Sequence, residues 1–166
     1  SPETPIYSKS KTLFGLNFTK KYINEKDAAV IVEGYMDLIA PYQSGVNNLI
    51  ASCGTALTTD HIRLIRRHSR NVIMVYDSDK AGEMATLRNL DILLAEDMNI
   101  KIAELPKGYD PDSFVRKNGG AAFEKILANP TGLFDYKLNR LISYHKIDTI
   151  ESKVKIADEM LVTISK

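Results

Sequence analysis

Between residues 28 and 105 the apolar and polar positions fall into a strand–helix rhythm. Ala28-Ala29-Val30-Ile31-Val32 is a short apolar run without alternation, the pattern of a strand buried on both faces. It leads straight into Glu33, then Gly34, a residue suited to a sharp turn or a close ligand approach. An amphipathic stretch over 35–43 follows, stopped by Gly45. A second strand is expected at 48–52, then a helix from about Thr58 to Ser69 with Thr58 or Thr59 as its N-cap. The run Asn71–Tyr76 reads as a third strand, and a long helix is expected from about Ala81 to Asp97. A strand at 100–105 closes the series. Strands alternating with helices imply parallel βαβ units with right-handed crossovers. The fold class is therefore α/β, a Rossmann-like parallel sheet of about four strands flanked by helices.

After Pro106 the rhythm stops. A Gly/Pro/Asp loop spans 106–111, and the pattern beyond it is helical, a small C-terminal subdomain over 119–166. There Ile150, Val154, Ala157, Leu161 and Ile164 step by four and three, an apolar stripe for burial, with Asp148 and Glu151 resembling a capping box. Before residue 28, Leu13-Phe14-Gly15-Leu16 is the evident burial point. Residues 1–27 read as the end of a preceding subdomain, and the opening Ser1-Pro2-Glu3-Thr4-Pro5 as that of a piece cut from something longer.

Composition changes this picture little. The 166 residues are 44% hydrophobic and 26% charged with a net charge of +1, so any affinity for nucleic acid must come from a local patch. One cysteine, Cys53, excludes a disulfide framework or a zinc ribbon within these residues, and reads as a small buried hydrophobe. No apolar run reaches the roughly 18 residues of a membrane span and no signal peptide is visible, so the expectation is a cytoplasmic protein with no membrane partner.

The chemistry lies in the acids. Glu33 ends the first strand, Asp77 and Asp79 follow the third, and Asp110-Pro111-Asp112 follows the fourth. Asp37 is one helical turn beyond Glu33 and can face the same cleft. In an open parallel sheet, ligands gather outside the carboxyl ends of the strands. Two carboxylates about 4 Å apart repel by roughly 4 kcal/mol at an effective dielectric near 20, so several converging acids require a cation. Mg²⁺ or Mn²⁺, one to three ions, suits carboxylate oxygens and substrate phosphates. Singly, each acid could instead cap a helix, Asp79 above all. Asp77-x-Asp79 alone would also suit an aspartyl-nucleophile phosphatase, but that family carries the motif on its first strand.

Glu33-Gly34 after one strand, and Asp77-x-Asp79 with Ala81-Gly82 after a later one, resemble the Toprim domain. Val32-Glu33-Gly34-Tyr35-Met36-Asp37, Ser52-Cys53-Gly54-Thr55, Tyr76-Asp77-Ser78-Asp79 and Asp110-Pro111-Asp112 with Val115-Arg116-Lys117 resemble the bacterial-type DNA primases within that group. The resemblance runs from about residue 1 to 135. It implies a Toprim metal-binding domain at 28–118, with 1–27 the end of the preceding polymerase subdomain. It implies that Glu33, Asp77 and Asp79 are catalytic and hold the principal metal, while Asp37, Asp110 and Asp112 complete further metal positions. The activity implied is RNA primer synthesis for DNA replication: a ribonucleotide 3′-OH attacks the α-phosphate of an incoming ribonucleoside triphosphate on a single-stranded DNA template. Glu33 is either a ligand or a general base. The family's zinc module and the C-terminal module that meets the replicative helicase lie outside these residues. The alternative is a Toprim-type nuclease or topoisomerase module.

The 22 lysines and arginines nearly balance the 21 acids, and few of them stand beside the acidic motifs. Lys9 and Lys11 precede the Leu13-Phe14-Gly15 step where, by the same resemblance, a basic pair meets nucleotide phosphates, and Lys80 beside Asp79 is a third candidate. Arg63, Arg66, Arg67 and Arg70 share one helix face, either a phosphate stripe or a solvated surface. His61, His68 and His145 lack metal-ligand spacing and read as structural or surface groups, and Tyr35 as a core residue.

Overall fold

The computed structural model describes residues 3–5, 7–52, 54, 57–76, 94, 96–145 and 147–165. Asp77, Asp79, Lys80 and Cys53, and all but the end of the helix expected at 81–97, lie outside the described residues.

A 3-10 turn at Lys9–Lys11 precedes α1 (Leu16–Lys26). Then come β1 (Ala29–Val32), α2 (Tyr35–Gln43), β2 (Leu49–Ala51), α3 (Thr59–Arg66), β3 (Asn71–Tyr76) and β4 (Asn99–Glu104). The chain continues through α4 (Pro111–Asn118), α5 (Gly120–Leu127), β5 (Thr131–Gly132), α6 (Leu133–His145) and α7 (Ile150–Ile164). The sheet order is β2-β1-β3-β4-β5. The four expected strands pair in parallel, and β5 extends the sheet as a two-residue antiparallel strand that the sequence pattern did not announce. Two residues carry no periodicity to detect.

Alternate residues of each strand feed opposite faces, as the pleat requires. Ile31, Ile50, Val72, Met74, Ile100 and Ile102 pack with Ile23 of α1, Ile62 and Ile65 of α3, and Leu133 and Tyr136 of α6. Val30, Val32, Leu49, Val75 and Ala103 pack with Leu38 of α2, Phe114 and Val115 of α4, and Phe123 of α5. β1 is fully buried, as an interior strand covered on both faces must be. Helix α5 begins tight against α2: a Cβ on Gly120 would stand 2.3 Å from the Ser44 carbonyl oxygen.

Three local expectations are overturned. The apolar stripe of α7 is not buried: Ile150 is 77% exposed, and Val154, Leu161 and Ile164 are also open, while Ile156 and Thr163 turn inward. Helix α7 packs on α6, and that contact selects another face. Its N-cap is Thr149, whose Oγ1 accepts from the Ser152 amide, not an Asp148–Glu151 box. Tyr35 is 41% exposed, its ring set edge-on against Phe14 at 4.7 Å, because it sits on the first turn of α2 above the sheet edge.

Candidate active site

The parallel strands deliver their carboxyl ends to one edge, and Glu33 follows β1 there on an exposed turn. Gly34 is extended, φ −108° and ψ 167°, a conformation open to any residue. Its constraint is space. A Cβ would lie 2.8 Å from Asp37 Oδ2, because the Asp37 carboxylate folds back to accept the Gly34 amide at 2.9 Å. Asp37 is thus the N3 residue of α2, supplying the return half of a capping box.

The Asp112 amide at the start of α4 also stands near enough to lower the Asp37 pKa, so one carboxylate faces the N-termini of two helices. Half-buried, it has its pKa pushed above the ordinary carboxylate range, first by burial and then by the charges of Asp110 and Asp112, against the lowering effect of the two amides. The acids predicted at the first and fourth strands therefore converge. Each of the later pair also has a local partner. Asp110 caps α4: its Oδ1 accepts from the Ser113 amide at 2.7 Å and from the Ser113 hydroxyl at 2.6 Å, which holds its pKa low, and Pro111 fills the first helical position. Asp112 is paired with Arg116 at 2.8 Å. Among the described residues, no three His, Cys, Asp or Glu side chains form a ready metal cage.

The donor set nonetheless suits a divalent cation. It offers hard carboxylate oxygens, and the Asp37 group carries an electrostatic cost that a nearby cation would relieve. The basic turn reaches the same edge. Phe14 and Ala51 exchange backbone hydrogen bonds at 2.9 and 3.0 Å where β2 ends, and Phe14 meets Tyr35 beside Glu33. Residues 9–14 therefore run past the carboxyl ends of β2 and β1, carrying Lys9 and Lys11 with them. The arginine face of α3 is largely neutralised: Arg63 lies 3.9 Å from Asp60, Arg66 3.9 Å from Glu96, and Arg70 2.9 Å from Asp97. It reads as solvated surface.

Sequence reasoning missed the approach of Asp37 to the Asp112 amide, which depends on proximity across 75 positions, and the capping role of Ser113, which Asp110-Pro111-x-Ser113 does signal.

Comparison with known proteins places this geometry in a family. The Toprim-like family matches residues 30–115, just over half of the chain. The DNA primase of Clostridium acetobutylicum is 46% identical over 160 residues, covering 96% of this chain and 27% of that protein. The DNA primase of Halalkalibacterium halodurans is 35% identical over 167 residues, covering 100% of this chain and 28% of that protein. A solved DnaG primase catalytic domain bound to single-stranded DNA superposes with a TM-score of 0.87 at 36% identity, over 99% of this chain and 54% of the other. A DNA primase domain from Pseudomonas aeruginosa gives 0.86 at 33%, over 98% and 53%. The chain thus spans about a quarter of the curated relatives and about half of the solved domains. It belongs to the Toprim-like family, as the Toprim fragment of a DnaG-like primase.

Proposed function

We propose that this chain is the metal-binding part of a primase catalytic core that makes short RNA primers on single-stranded DNA for replication in the bacterial cytoplasm. The observation that carries this reading is Glu33 at the carboxyl end of an interior strand, with Asp37 one helical turn on and Asp110 and Asp112 gathered about Asp37. The relative solved with single-stranded DNA supports the template, and curated relatives named DNA primase favour this activity over a nuclease or topoisomerase module.

Glu33, Asp77 and Asp79 would hold the principal Mg²⁺ or Mn²⁺, with Asp37, Asp110 and Asp112 completing further positions. A bound divalent ion supplies charge neutralisation for the attacking and leaving oxygens of phosphoryl transfer. The 3′-OH of the growing RNA attacks the α-phosphate of the incoming ribonucleoside triphosphate, and pyrophosphate leaves. Glu33 serves as ligand or as acceptor of the 3′-OH proton. Lys9, Lys11 and Lys80 pair with triphosphate oxygens. Residues 1–27 belong to the preceding polymerase subdomain, 28–118 to Toprim, and 119–166 to a helical subdomain. The zinc and helicase-binding modules lie in other parts of the parent protein.

Labelled-ribonucleotide incorporation on a single-stranded template tests the reading. Residues 1–166 are expected to bind divalent metal and make little or no primer. A longer polypeptide carrying the preceding polymerase segment should make primer, and its Asp77→Ala and Asp79→Ala variants should fold and make none. Full synthesis by a folded Asp77→Ala variant would overturn the metal assignment.

A further inference from the structure

The turn that carries Lys9 and Lys11 is held in place by a buried histidine. None of its three residues is buried, so packing does little to fix it. Among the described residues, Glu3 Oε1 accepts the Lys9 amide at 2.8 Å, the Ser8 and Ser10 hydroxyls meet at 2.9 Å, and the remaining side-chain anchors come from the N-terminus of α3. His61 is completely buried there. Its Nε2 lies 2.7 Å from the Lys9 carbonyl oxygen, an atom that only accepts, so Nε2 carries a proton. Its Nδ1 lies 3.3 Å from the Thr58 amide, an atom that only donates, so Nδ1 is bare. Both neighbours therefore specify one neutral tautomer. Thr58 completes the arrangement: its Oγ1 accepts from the His61 amide at 3.1 Å and donates to the Ser10 carbonyl at 2.6 Å. This is a capping box in which histidine replaces the usual Glu or Gln. Its two side chains reach beyond the helix to consecutive carbonyls of the basic turn.

We propose that His61 is a positioning residue for phosphate recognition: its neutral imidazole clamps the Lys9–Lys11 turn to α3 and so fixes where the two lysines stand at the carboxyl edge of the sheet. The proposal rests on the reading of Lys9 and Lys11 as phosphate-binding groups. A carboxamide could make the same two bonds, since it has both a donor and an acceptor, whereas an apolar side chain could make neither.

Protonation opens the clamp, because a second N–H would then face the Thr58 amide. The surroundings mostly oppose it. Burial pushes the His61 pKa below the ordinary imidazole range; the Lys9 and Thr12 carbonyls and Asp60 on its own helix act the other way. The ammonium groups of Lys9 and Lys11 on the facing turn and the positive end of the α3 dipole also disfavour the charge. With the folded value depressed, the clamp is intact above the unfolded value of about 6.5 and is lost as pH falls through the folded value.

The test uses the 166-residue chain with a fluorescent ATP analogue and Mg²⁺, alongside amide hydrogen exchange. His61→Leu should accelerate exchange at the Thr12 amide, which bonds the Lys9 carbonyl, and weaken ATP binding about tenfold. Protection in β1 and β3 should be kept. His61→Gln should restore both readouts. In the wild type, affinity should hold through the ordinary imidazole range and fall only at lower pH, in a step that His61→Gln lacks. If His61→Leu fails to fold, the glutamine variant and the wild-type pH profile decide. Affinity lost in a Lys9→Ala/Lys11→Ala double variant but kept in His61→Leu would overturn the proposal alone. Affinity unchanged in the double lysine variant would overturn the phosphate reading, and the proposal with it.

Discussion

The two edges of the sheet treat their acids in opposite ways. At the amino edge, Asp27 adopts a left-handed conformation (φ 44°), and its carboxylate accepts from the Ser69 hydroxyl at 2.9 Å and the Asn71 amide at 3.0 Å. Asn71 continues the network to Asn99 at 2.8 Å, and Asn48 bonds the Ala28 carbonyl at 2.8 Å. Neutral donors surround the Asp27 charge, Asp97 is paired with Arg70 at 2.9 Å, and the start of each parallel strand is tied to the next. At the carboxyl edge, Asp37, Asp110 and Asp112 face one another across the N-termini of α2 and α4, and the most enclosed of them bears a raised pKa. Electrostatic need is concentrated where ligands of an open α/β sheet bind, and satisfied where they do not. The amino edge holds the fold; the carboxyl edge stores an unmet demand for positive charge.

Four perturbations separate the edges. The largest effect is expected from Glu33→Gln in the longer, active polypeptide. Primer synthesis should fall by more than about 100-fold, as for loss of a group that organises charge in a transition state, with urea unfolding almost unchanged. A stable variant with normal synthesis would remove Glu33 from the machinery.

Asp27→Ala should do the reverse. It strands the Ser69 and Asn71 donors and places alanine at positive φ, costing about 1–2 kcal/mol in the unfolding midpoint. Metal binding, followed by calorimetry with Mn²⁺, should be intact. Equal losses in both would mean that the edges are not independent.

The third perturbation is pH. The folded pKa of Asp37 lies above its unfolded value, so the folded state holds the proton more tightly. In metal-free buffer this contribution is complete below the ordinary carboxylate value near 4 and is lost as pH rises through the folded value. Denaturant midpoints measured upward from pH 4 should therefore show a decline that Asp37→Asn flattens. The smallest effect is expected from Arg116→Ala. Its pair with Asp112 is exposed on the arginine side, and stability should change by no more than about 0.5 kcal/mol.

The fold was legible because burial dictates it. The runs at 28–32 and 71–76 are apolar enough to be strands only inside a doubly covered sheet, and β1 and β3 lie there. Thr58 announced its own helix. The stripe of α7 misled because periodicity shows that a face is apolar without showing what stands opposite it. At the site, residue type and strand position were enough to gather Asp37 with Asp110 and Asp112. Nothing in spacing could show that Asp37 faces the Asp112 amide, or that Gly34 is required for clearance instead of for its backbone angles. Those are facts of tertiary contact.

The close seating of Gly120 on Ser44 has a mechanical consequence. Helix α2 is nine residues long, about 14 Å. It packs along α4, with Asp37 of its first turn facing the start of that helix, and its last turn is wedged against the start of α5. Since α4 and α5 are separated only by Gly119, α2 behaves as a beam pinned at both ends to a single bracket. A side chain added at Gly120 would tilt the beam, and the far end of its travel is the turn that holds Glu33.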